Sequence, residues 1–255
     1  MLDSKLRAVI FDLDGVLTDT ARLHLLAWTS VFNEFLKRRD PSAPEFSSRD
    51  YQLYVDGRPR ADGVRAFLQS RGFKESEELI QQIAARKDEE YLKALHTRGP
   101  GLFPSSFEFL KTVRKAGALT AVVTASRNAK EVLKTAGIED FFDTRVDGID
   151  IANQHLKGKP QPDTFLEAAH RLNVPAKQAA VLEDAQAGVE AGRKGDFGQV
   201  IGIDRVGQRQ ALFEHGADTV VEDLGQLKVE PVEPGWVRLS AQRAGLPARA
   251  RPLEQ

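Results

Sequence analysis

The sequence predicts an α/β fold: a doubly wound, Rossmann-like parallel sheet core with an inserted α-helical cap domain. From Ser105 onward, short apolar strands alternate with helices, which is typical of a doubly wound parallel sheet. Near the N-terminus, the apolar residues 8–11 predict a first strand that is buried on both faces. Residues 20–98 lie between these regions and show helical periodicity without a convincing strand, so we expect an insertion after the first strand.

The inserted region is predicted to contain three helices. In the first, apolar residues recur at helical spacing until Pro41 and Pro44, which cannot continue a helix. The second ends at Gly72, a residue type common at helix C-termini, and the third is highly charged. The predicted helices cover residues 21–38, 62–71 and 75–95.

In the core, each predicted strand is a short apolar run that leads into a polar or glycine-containing loop. The helices between the strands end near glycines such as Gly117 and Gly137. The predicted helices cover residues 106–116, 129–136, 162–172 and 187–194. Further strands are predicted over residues 119–123, 179–182 and 199–203, with an edge strand over residues 219–221.

These elements predict three parts of the chain. Residues 1–19 and 99–228 form the core domain, and residues 20–98 form the helical cap domain. Residues 229–255 are rich in proline and arginine and show little periodicity, which predicts a flexible or loosely packed C-terminal extension. A linker to another domain is the alternative interpretation of this extension.

Composition excludes several classes of protein. A net charge of −1 over 255 residues provides no basic surface for nucleic acid. No apolar run approaches the roughly 18 residues that a membrane span needs, and the N-terminus lacks a signal-peptide pattern. Because there is no cysteine, disulfides and thiolate chemistry are excluded. We expect a cytoplasmic monomer that binds neither nucleic acid nor membrane.

Two carboxylates follow the first strand at positions 12 and 14. Because side chains alternate along an extended chain, Asp12 and Asp14 are expected on the same side of its carboxyl end, where open parallel sheets bind ligands. Their mutual repulsion favours a bound Mg2+, with one acid reserved for proton transfer. A surface Asp-x-Asp-Gly turn is the alternative.

Polar residues also follow later strands or lie in glycine-containing loops. Thr124 directly follows the second predicted strand. Its hydroxyl and the following backbone N–H groups could hold a phosphoryl oxygen, and the alternative is a helix cap by Ser126 or Asn128. Lys159 precedes Pro160, which fixes the direction of the chain, although a solvated surface lysine is the alternative. The adjacent acids Glu183 and Asp184 end an apolar strand, and their mutual repulsion there favours a bound cation.

The segment Phe-Asp-Leu-Asp-Gly-Val-Leu-Thr-Asp-Thr, residues 11–20, resembles the first motif of the haloacid dehalogenase superfamily, in particular its β-phosphoglucomutase-like branch. Residues 124, 159–163 and 183–188 are similar to its next three motifs, and the resemblance extends to about residue 223. It implies that Asp12 is the nucleophile, that Asp14 is the acid and base, and that Thr124 binds the transferring phosphate. Lys159 would offset negative charge. The implied Mg2+ ligands are Asp12, Asp14 through its backbone carbonyl, Glu183 and Asp184.

The cap carries a second resemblance, because Asp-Thr-x-x-x-His-x-x-x-Trp and Gly-Arg-Pro-Arg are similar to the cap of β-phosphoglucomutases. Each of these residues alone would suggest only core packing or a solvated charge. On the resemblance, Arg60 binds the non-transferring phosphate, while His24 and Lys87 couple cap closure to Asp14. Arg58, Pro59 and Arg127 depart from the usual pattern. The implied substrate-binding residues are Thr20, His24, Trp28, Gly57, Arg60, Lys87, Ser126, Arg127 and Asn128.

The resemblance implies a β-phosphoglucomutase that interconverts β-D-glucose 1-phosphate and glucose 6-phosphate through an aspartyl-phosphate and a glucose 1,6-bisphosphate. A Mg-dependent sugar-phosphate phosphatase of the same superfamily is the alternative, in which water replaces the sugar hydroxyl as acceptor. A catalytically idle protein that binds phospho-sugars is a third reading. The intact Asp12, Asp14, Lys159 and Asp184 argue against it, because a binding protein has no use for a nucleophile.

Overall fold

The computed structural model describes residues 5–55 and 60–241. The chain divides after Thr18 and again after Gly101 into two compact units. We call the unit that contains residues 5–18 and 102–241 the core unit, and the unit Asp19–Gly101 the helical unit. None of the helices within the described ranges offers a stretch that is both long and apolar enough to cross a lipid bilayer.

The core unit contains a six-stranded parallel sheet, which confirms the predicted fold class. Its strand order is β3-β2-β1-β4-β5-β6, so the first strand lies at the centre, between β2 and β4. All five residues of β1 are buried, as expected for a strand with helices on both faces of its sheet. The strands are β1 Ala8–Asp12, β2 Leu119–Val123, β3 Thr144–Val146, β4 Ala179–Glu183, β5 Gln199–Ile203 and β6 Thr219–Val221.

Helices connect these parallel strands. The core between sheet and helices is built from aliphatic side chains and from Phe165 and Phe197. In helix 186–194, Gly192 lies so close to Val181 and Val200 that an added Cβ would contact both side chains. The core-unit helices are α5 Pro104–Lys115, α6 Ala129–Ala136, α7 Gly148–Asn153, α8 Asp163–Arg171, α9 Gln186–Lys194 and α10 Arg209–Glu214. Short 3-10 turns cover Glu139–Phe141, Ala176–Gln178 and Leu224–Gln226.

The helical unit contains no strand among its described residues. Its core is aromatic: Phe32 stacks on Trp28 with ring centroids 5.0 Å apart and packs against Phe67 at 4.2 Å. The elements are α1 Ala21–Arg39, α2 Ser48–Asp50, a π-helical turn Tyr51–Val55, α3 Arg60–Ser70 and α4 Glu77–Arg98. The α2 and π-helical segment was not predicted, and Gly57 lies outside the described residues.

The prediction of a flexible or loosely packed extension is wrong for residues 229–241. Together with residues 227 and 228 they form an antiparallel hairpin, β7 Leu227–Glu233 and β8 Trp236–Ala241. Leu6 and Val237, both fully buried, exchange two backbone hydrogen bonds of 2.8 Å, and these attach β8 to the segment before β1. The hairpin was not predicted from the sequence because prolines in this region argue against a strand.

A polar contact joins the two long helices of the helical unit. His24 on α1 lies with Nδ1 2.7 Å from Nζ of Lys87 on α4, and its ring stacks on Tyr91 at 4.3 Å. Because the lysine ammonium can only donate, Nδ1 accepts, and the imidazole is neutral with its proton on Nε2. Burial, then Lys87 and then Arg60, lower the pKa of His24 to about 3.

We expect His24 to make stability depend on pH. Its folded pKa lies below its unfolded value, so its contribution is complete above about pH 6.5 and is lost as pH falls towards 3. The free energy of unfolding should therefore fall by about 1 to 2 kcal/mol more in the wild type than in His24→Gln between pH 7 and pH 5. Urea titrations at both pH values measure this difference.

The matched control is His170→Gln, which replaces a histidine whose side chain is 83% exposed. It should retain the wild-type dependence on pH. If the free energy of unfolding depends on pH identically in the wild type and in His24→Gln, the pKa of His24 is not lowered in the folded protein.

The hairpin should contribute measurably to stability. Val237→Ala removes two buried methyl groups at the attachment to Leu6 and should lower the free energy of unfolding by about 1 to 3 kcal/mol in urea titrations. Ser240→Ala, at an exposed position of the same strand, should change it by less than about 0.5 kcal/mol. Equal midpoints for the two variants would show that the hairpin is only loosely attached.

Candidate active site

The carboxyl ends of β1, β2 and β4 bring polar side chains together at one edge of the core sheet. Asp12 is the last residue of β1 and pairs in register with Val123, which directly precedes Thr124. Glu183 is the last residue of β4, the other neighbour of β1. Because parallel strands end at the same edge, positions far apart in the chain meet here.

Lys159 links two of these acids. Its Nζ donates to Asp12 Oδ1 and, at 2.5 Å, to Glu183 Oε1. Burial acts to lower the pKa of Lys159, but Asp12 and Glu183 together raise it above its ordinary value, so the ammonium is charged at neutral pH. The two carboxylate side chains are 9% and 2% exposed, which makes this a buried contact rather than a surface ion pair.

Negative charge exceeds positive charge at this sheet edge. Burial, and then the neighbouring acids Glu183, Asp14 and Asp184 acting against Lys159, raise the pKa of Asp12 well above its usual range. Burial and Glu183 raise the pKa of Asp184 to about 7, while Lys159 opposes this shift. Four carboxyl groups therefore share one ammonium, and such a set gains stability from a further cation.

The donor set fits a hard divalent cation in charge and in ligand type, since carboxylate oxygens suit Mg2+. Within the described ranges, however, no three acidic or histidine side chains are already arranged around one point as metal ligands. Glu183 uses both oxygens in this structure, because Oε1 accepts from Lys159 and Oε2 accepts from the Ala185 N–H at 2.7 Å.

Two glycines allow the backbone to approach the carboxylates. A Cβ on Gly15, whose φ is +85°, would collide with the Asp184 carboxylate, and a Cβ on Gly188 would collide with that of Glu183. Left-handed backbone at Gly15 also favours glycine by itself. The turn after β1 and the start of α9 are therefore packed directly against the acidic residues.

Asp14 is held by the loop that follows β2. Thr124 Oγ1 donates to Asp14 Oδ2 at 2.9 Å and accepts from the Ser126 N–H at 3.0 Å. Asn128 precedes α6, but its side chain makes no capping hydrogen bond, while Ser126 Oγ accepts from the Asn128 N–H at 3.2 Å. The loop thus orients the Thr124 hydroxyl towards Asp14, and Arg127 in the same loop is exposed.

The predicted cap residues lie in the helical unit. Thr20 is buried just before α1, and Trp28 is buried in the aromatic core. Arg60 begins α3 and pairs with Asp88 on α4 at 3.0 Å, next to the buried Lys87. This unit therefore joins His24, Lys87 and Arg60 in one neighbourhood.

Sequence reasoning missed two side chains that contact the acidic site of the core unit. Arg205 Nε donates to the Gly15 carbonyl at 2.7 Å, and Gln208 Nε2 donates to the Asp184 carbonyl at 2.8 Å. Both follow the carboxyl end of β5, so the rule that identified Asp12, Thr124 and Glu183 could have identified them. Neither Arg205 nor Gln208 belongs to one of the four sequence motifs.

Comparison with known proteins places this chain in a family. The model of the haloacid dehalogenase-like hydrolases matches residues 6–196. The β-phosphoglucomutase of Mycobacterium bovis is 43% identical over 243 residues, which are 89% of this chain and 93% of that protein. A phosphorylated carbohydrates phosphatase of Thermotoga maritima is 31% identical over 218 residues, 85% of this chain and 94% of that protein.

Solved structures agree with this comparison. The crystal structure of a β-phosphoglucomutase from Clostridium difficile superimposes with a TM-score of 0.70 at 29% identity, covering 88% of this chain and 93% of that one. These findings confirm the resemblance that the strand-end motifs carried. The chain belongs to the haloacid dehalogenase-like hydrolase family and is similar along most of its length to β-phosphoglucomutases.

Proposed function

We propose that the protein is a β-phosphoglucomutase that interconverts β-D-glucose 1-phosphate and glucose 6-phosphate through an aspartyl-phosphate and a glucose 1,6-bisphosphate. The observation that carries the proposal is the buried carboxylate of Asp12 at the end of β1, in contact with the ammonium of Lys159. The 43% identity with the M. bovis enzyme over nearly both full lengths supports the same activity.

Asp12 attacks phosphorus in line, so its carboxylate forms a bond to phosphorus as the bond to the leaving oxygen breaks. Lys159 contributes one fixed positive charge beside Asp12, where negative charge spreads over the phosphoryl oxygens. Thr124, whose hydroxyl lies beside Asp14, binds one of these oxygens. Asp14 first protonates the leaving oxygen and then accepts the proton of the incoming hydroxyl.

A metal ion would complete the charge balance. Phosphoglucomutases of this family generally depend on a metal, and we propose that it is Mg2+, held by Asp12, the backbone carbonyl of Asp14, Glu183 and Asp184. When bound, it supplies positive charge that reduces the repulsion between the phosphoryl oxygens and the attacking carboxylate. Its support in this structure is the excess of carboxylates over ammonium groups at the sheet edge.

A mutase must also bind the second phosphate of a bisphosphate. We assign this role to Arg60, assisted by Ser126, Arg127 and Asn128, and we assign substrate contacts to Thr20, His24, Trp28, Gly57 and Lys87. The Arg60 side chain is one-third exposed beside Asp88, and a planar guanidinium matches the geometry of a phosphate. The helical unit would thereby be the cap that selects the sugar phosphate.

A sugar-phosphate phosphatase is the second candidate, because the T. maritima relative is named a phosphatase and is 31% identical. The two activities share every step up to the aspartyl-phosphate and differ only in the acceptor, a sugar hydroxyl or water. An idle binding protein has no need for Asp12 paired with Lys159. The cytoplasmic location, the monomeric state and the absence of nucleic-acid and membrane partners stay predictions.

Product analysis separates the two enzymes. With β-glucose 1-phosphate, Mg2+ and a trace of glucose 1,6-bisphosphate, we expect glucose 6-phosphate in a coupled dehydrogenase assay and little free phosphate. Free phosphate as the only product would replace the mutase by the phosphatase. Chelation of the metal should stop turnover, and returning Mg2+ should restore it.

Asp12→Asn should abolish both products because an amide oxygen is a poor nucleophile and the aspartyl-phosphate cannot form. Asp196→Asn changes an exposed aspartate of the core unit, paired with Lys177, and should leave turnover unchanged. Residual turnover in Asp12→Asn, with the control fully active, would refute the nucleophile assignment.

Arg60→Ala tests the second phosphate site. The loss of a charge-assisted contact to phosphate should lower kcat/KM for the mutase reaction by about ten- to a hundredfold. Hydrolysis of 4-nitrophenyl phosphate, which has a single phosphate, should change by less than about threefold. Arg65→Ala on the same helix removes an arginine paired with Asp62 and Glu77 and serves as the matched control. Equal losses on both substrates in Arg60→Ala would contradict the assignment.

A further inference from the structure

The loop after β5, residues 204–208, contacts the acidic site, although it belongs to none of the four sequence motifs. It is closed by Asp204, whose Oδ1 accepts from the N–H groups of Gly207 and Gln208 at 2.7 and 2.8 Å. At its tip Val206 is 77% exposed, whereas the Arg205 side chain is only 18% exposed. The loop therefore directs a half-buried guanidinium towards the sheet edge.

The guanidinium binds the turn that directly follows Asp14. Arg205 Nε donates to the Gly15 carbonyl at 2.7 Å, and Nη2 reaches the Val16 carbonyl at 3.4 Å. A planar guanidinium can hold two neighbouring carbonyl groups in one orientation, which a lysine ammonium cannot do. Arg205 thus fixes two successive peptide groups C-terminal to Asp14.

The other side of Arg205 is anchored in the core unit. Nη1 lies 3.3 Å from the Glu222 carbonyl and 3.7 Å from the Asp223 carboxylate, and the guanidinium lies 3.9 Å from the centroid of the Phe103 ring. These contacts restrict the rotamers of a long side chain. The arginine therefore connects the turn after β1 to β6 and to the start of α5.

Hydrogen bonds within the turn fix its internal conformation, so the turn can move only as one piece. The Gly15 N–H donates to the Thr18 carbonyl at 2.7 Å, and the Leu17 and Thr18 N–H groups both donate to the Leu13 carbonyl at 3.0 Å. Because these bonds make the turn one body, a shift at Gly15 moves Asp14 with it. A general acid displaced by about 1 Å can lose about a hundredfold in rate.

The same loop also restrains the opposite side of the site. Gln208 donates to the Asp184 carbonyl, and the Gln186 amide donates to Gln208 Oε1 at 3.1 Å, which fixes the orientation of the Gln208 amide. Since Gly15 is packed against the Asp184 carboxylate, the loop holds both partners of this close contact. It acts as a brace between the turn and the end of β4.

We propose that Arg205 is a positioning residue for the reaction: it acts through the Gly15 and Val16 carbonyls to keep the Asp14 carboxyl group in place for proton transfer to the leaving oxygen. The proposal rests on the proposed phosphoryl transfer to Asp12, but it does not depend on which sugar is the acceptor. Arg205 itself makes no contact with substrate in this role.

The test is a series of substituted phenyl phosphates that differ in how much their leaving group needs a proton. In Arg205→Ala, kcat/KM for 4-nitrophenyl phosphate, whose leaving group departs without an acid, should stay within about threefold of the wild type. For unsubstituted phenyl phosphate it should fall by about ten- to a hundredfold, because proton transfer to the leaving oxygen is impaired. A plot of log kcat/KM against the pKa of the leaving group should become steeper.

Arg205→Lys keeps the charge but can hold only one carbonyl at a time, so its slope should lie between those of Arg205→Ala and the wild type. It also tests the proposal if the alanine variant does not fold. The matched control is Arg193→Ala, which removes another core-unit arginine that donates to a backbone carbonyl, that of Gly216, and pairs with Asp218. Its slope should equal that of the wild type.

An equal loss for all leaving groups in the Arg205 variants, or no change in slope, would overturn the positioning role. These results differ from failure of the proposed function, in which the wild type itself would show no hydrolysis that depends on Asp12. A steeper slope in the Arg205 variants alone, with thermal midpoints of all variants compared in parallel, supports the proposal.

Discussion

The contact of Lys159 with Asp12 and Glu183 is the interaction on which the rest of the site depends. Asp12 and Glu183 lie on neighbouring strands, and the ammonium between them offsets the mutual repulsion of two buried carboxylates. A protonated Asp12 is no nucleophile. Lys159 remains charged and acts against burial to lower the pKa of Asp12, and in the proposed mechanism it supplies positive charge beside the phosphate.

Much of this arrangement is predictable because strand periodicity and parallel topology are simple constraints. Buried apolar runs identified β1, β2, β4 and β5, and the residues that end them had to share one edge of the sheet. Asp12, Thr124 and Glu183 were located in this way. Lys159 was located only through its motif, since it lies in the loop before α8 and no strand fixes its position.

Other features depend on distances that a single sequence does not contain. The contact of Arg205 with Gly15 joins residues 190 positions apart, and the type of neither residue indicates which residue it contacts. The contact between His24 and Lys87 likewise depends on how α1 and α4 pack. In the C-terminal hairpin, Val237 and Leu239 of β8 alternate as buried residues, but the pattern of β7 is interrupted by Pro231 and by a shift of register between residues 231 and 233.

Under the proposed roles, the distribution of the residues over the two units accounts for a family that contains both mutases and phosphatases. Asp12, Asp14, Thr124 and Lys159, to which we assign the transfer of the phosphoryl group onto Asp12, all belong to the core unit. That step is common to both activities. What distinguishes them is whether a sugar hydroxyl or water reaches the aspartyl-phosphate, which is decided by residues that bind the acceptor. We assign this role to Arg60, His24 and Lys87, which belong to the helical unit, so under this proposal selection of the acceptor can change while the charged centre at the sheet edge stays the same.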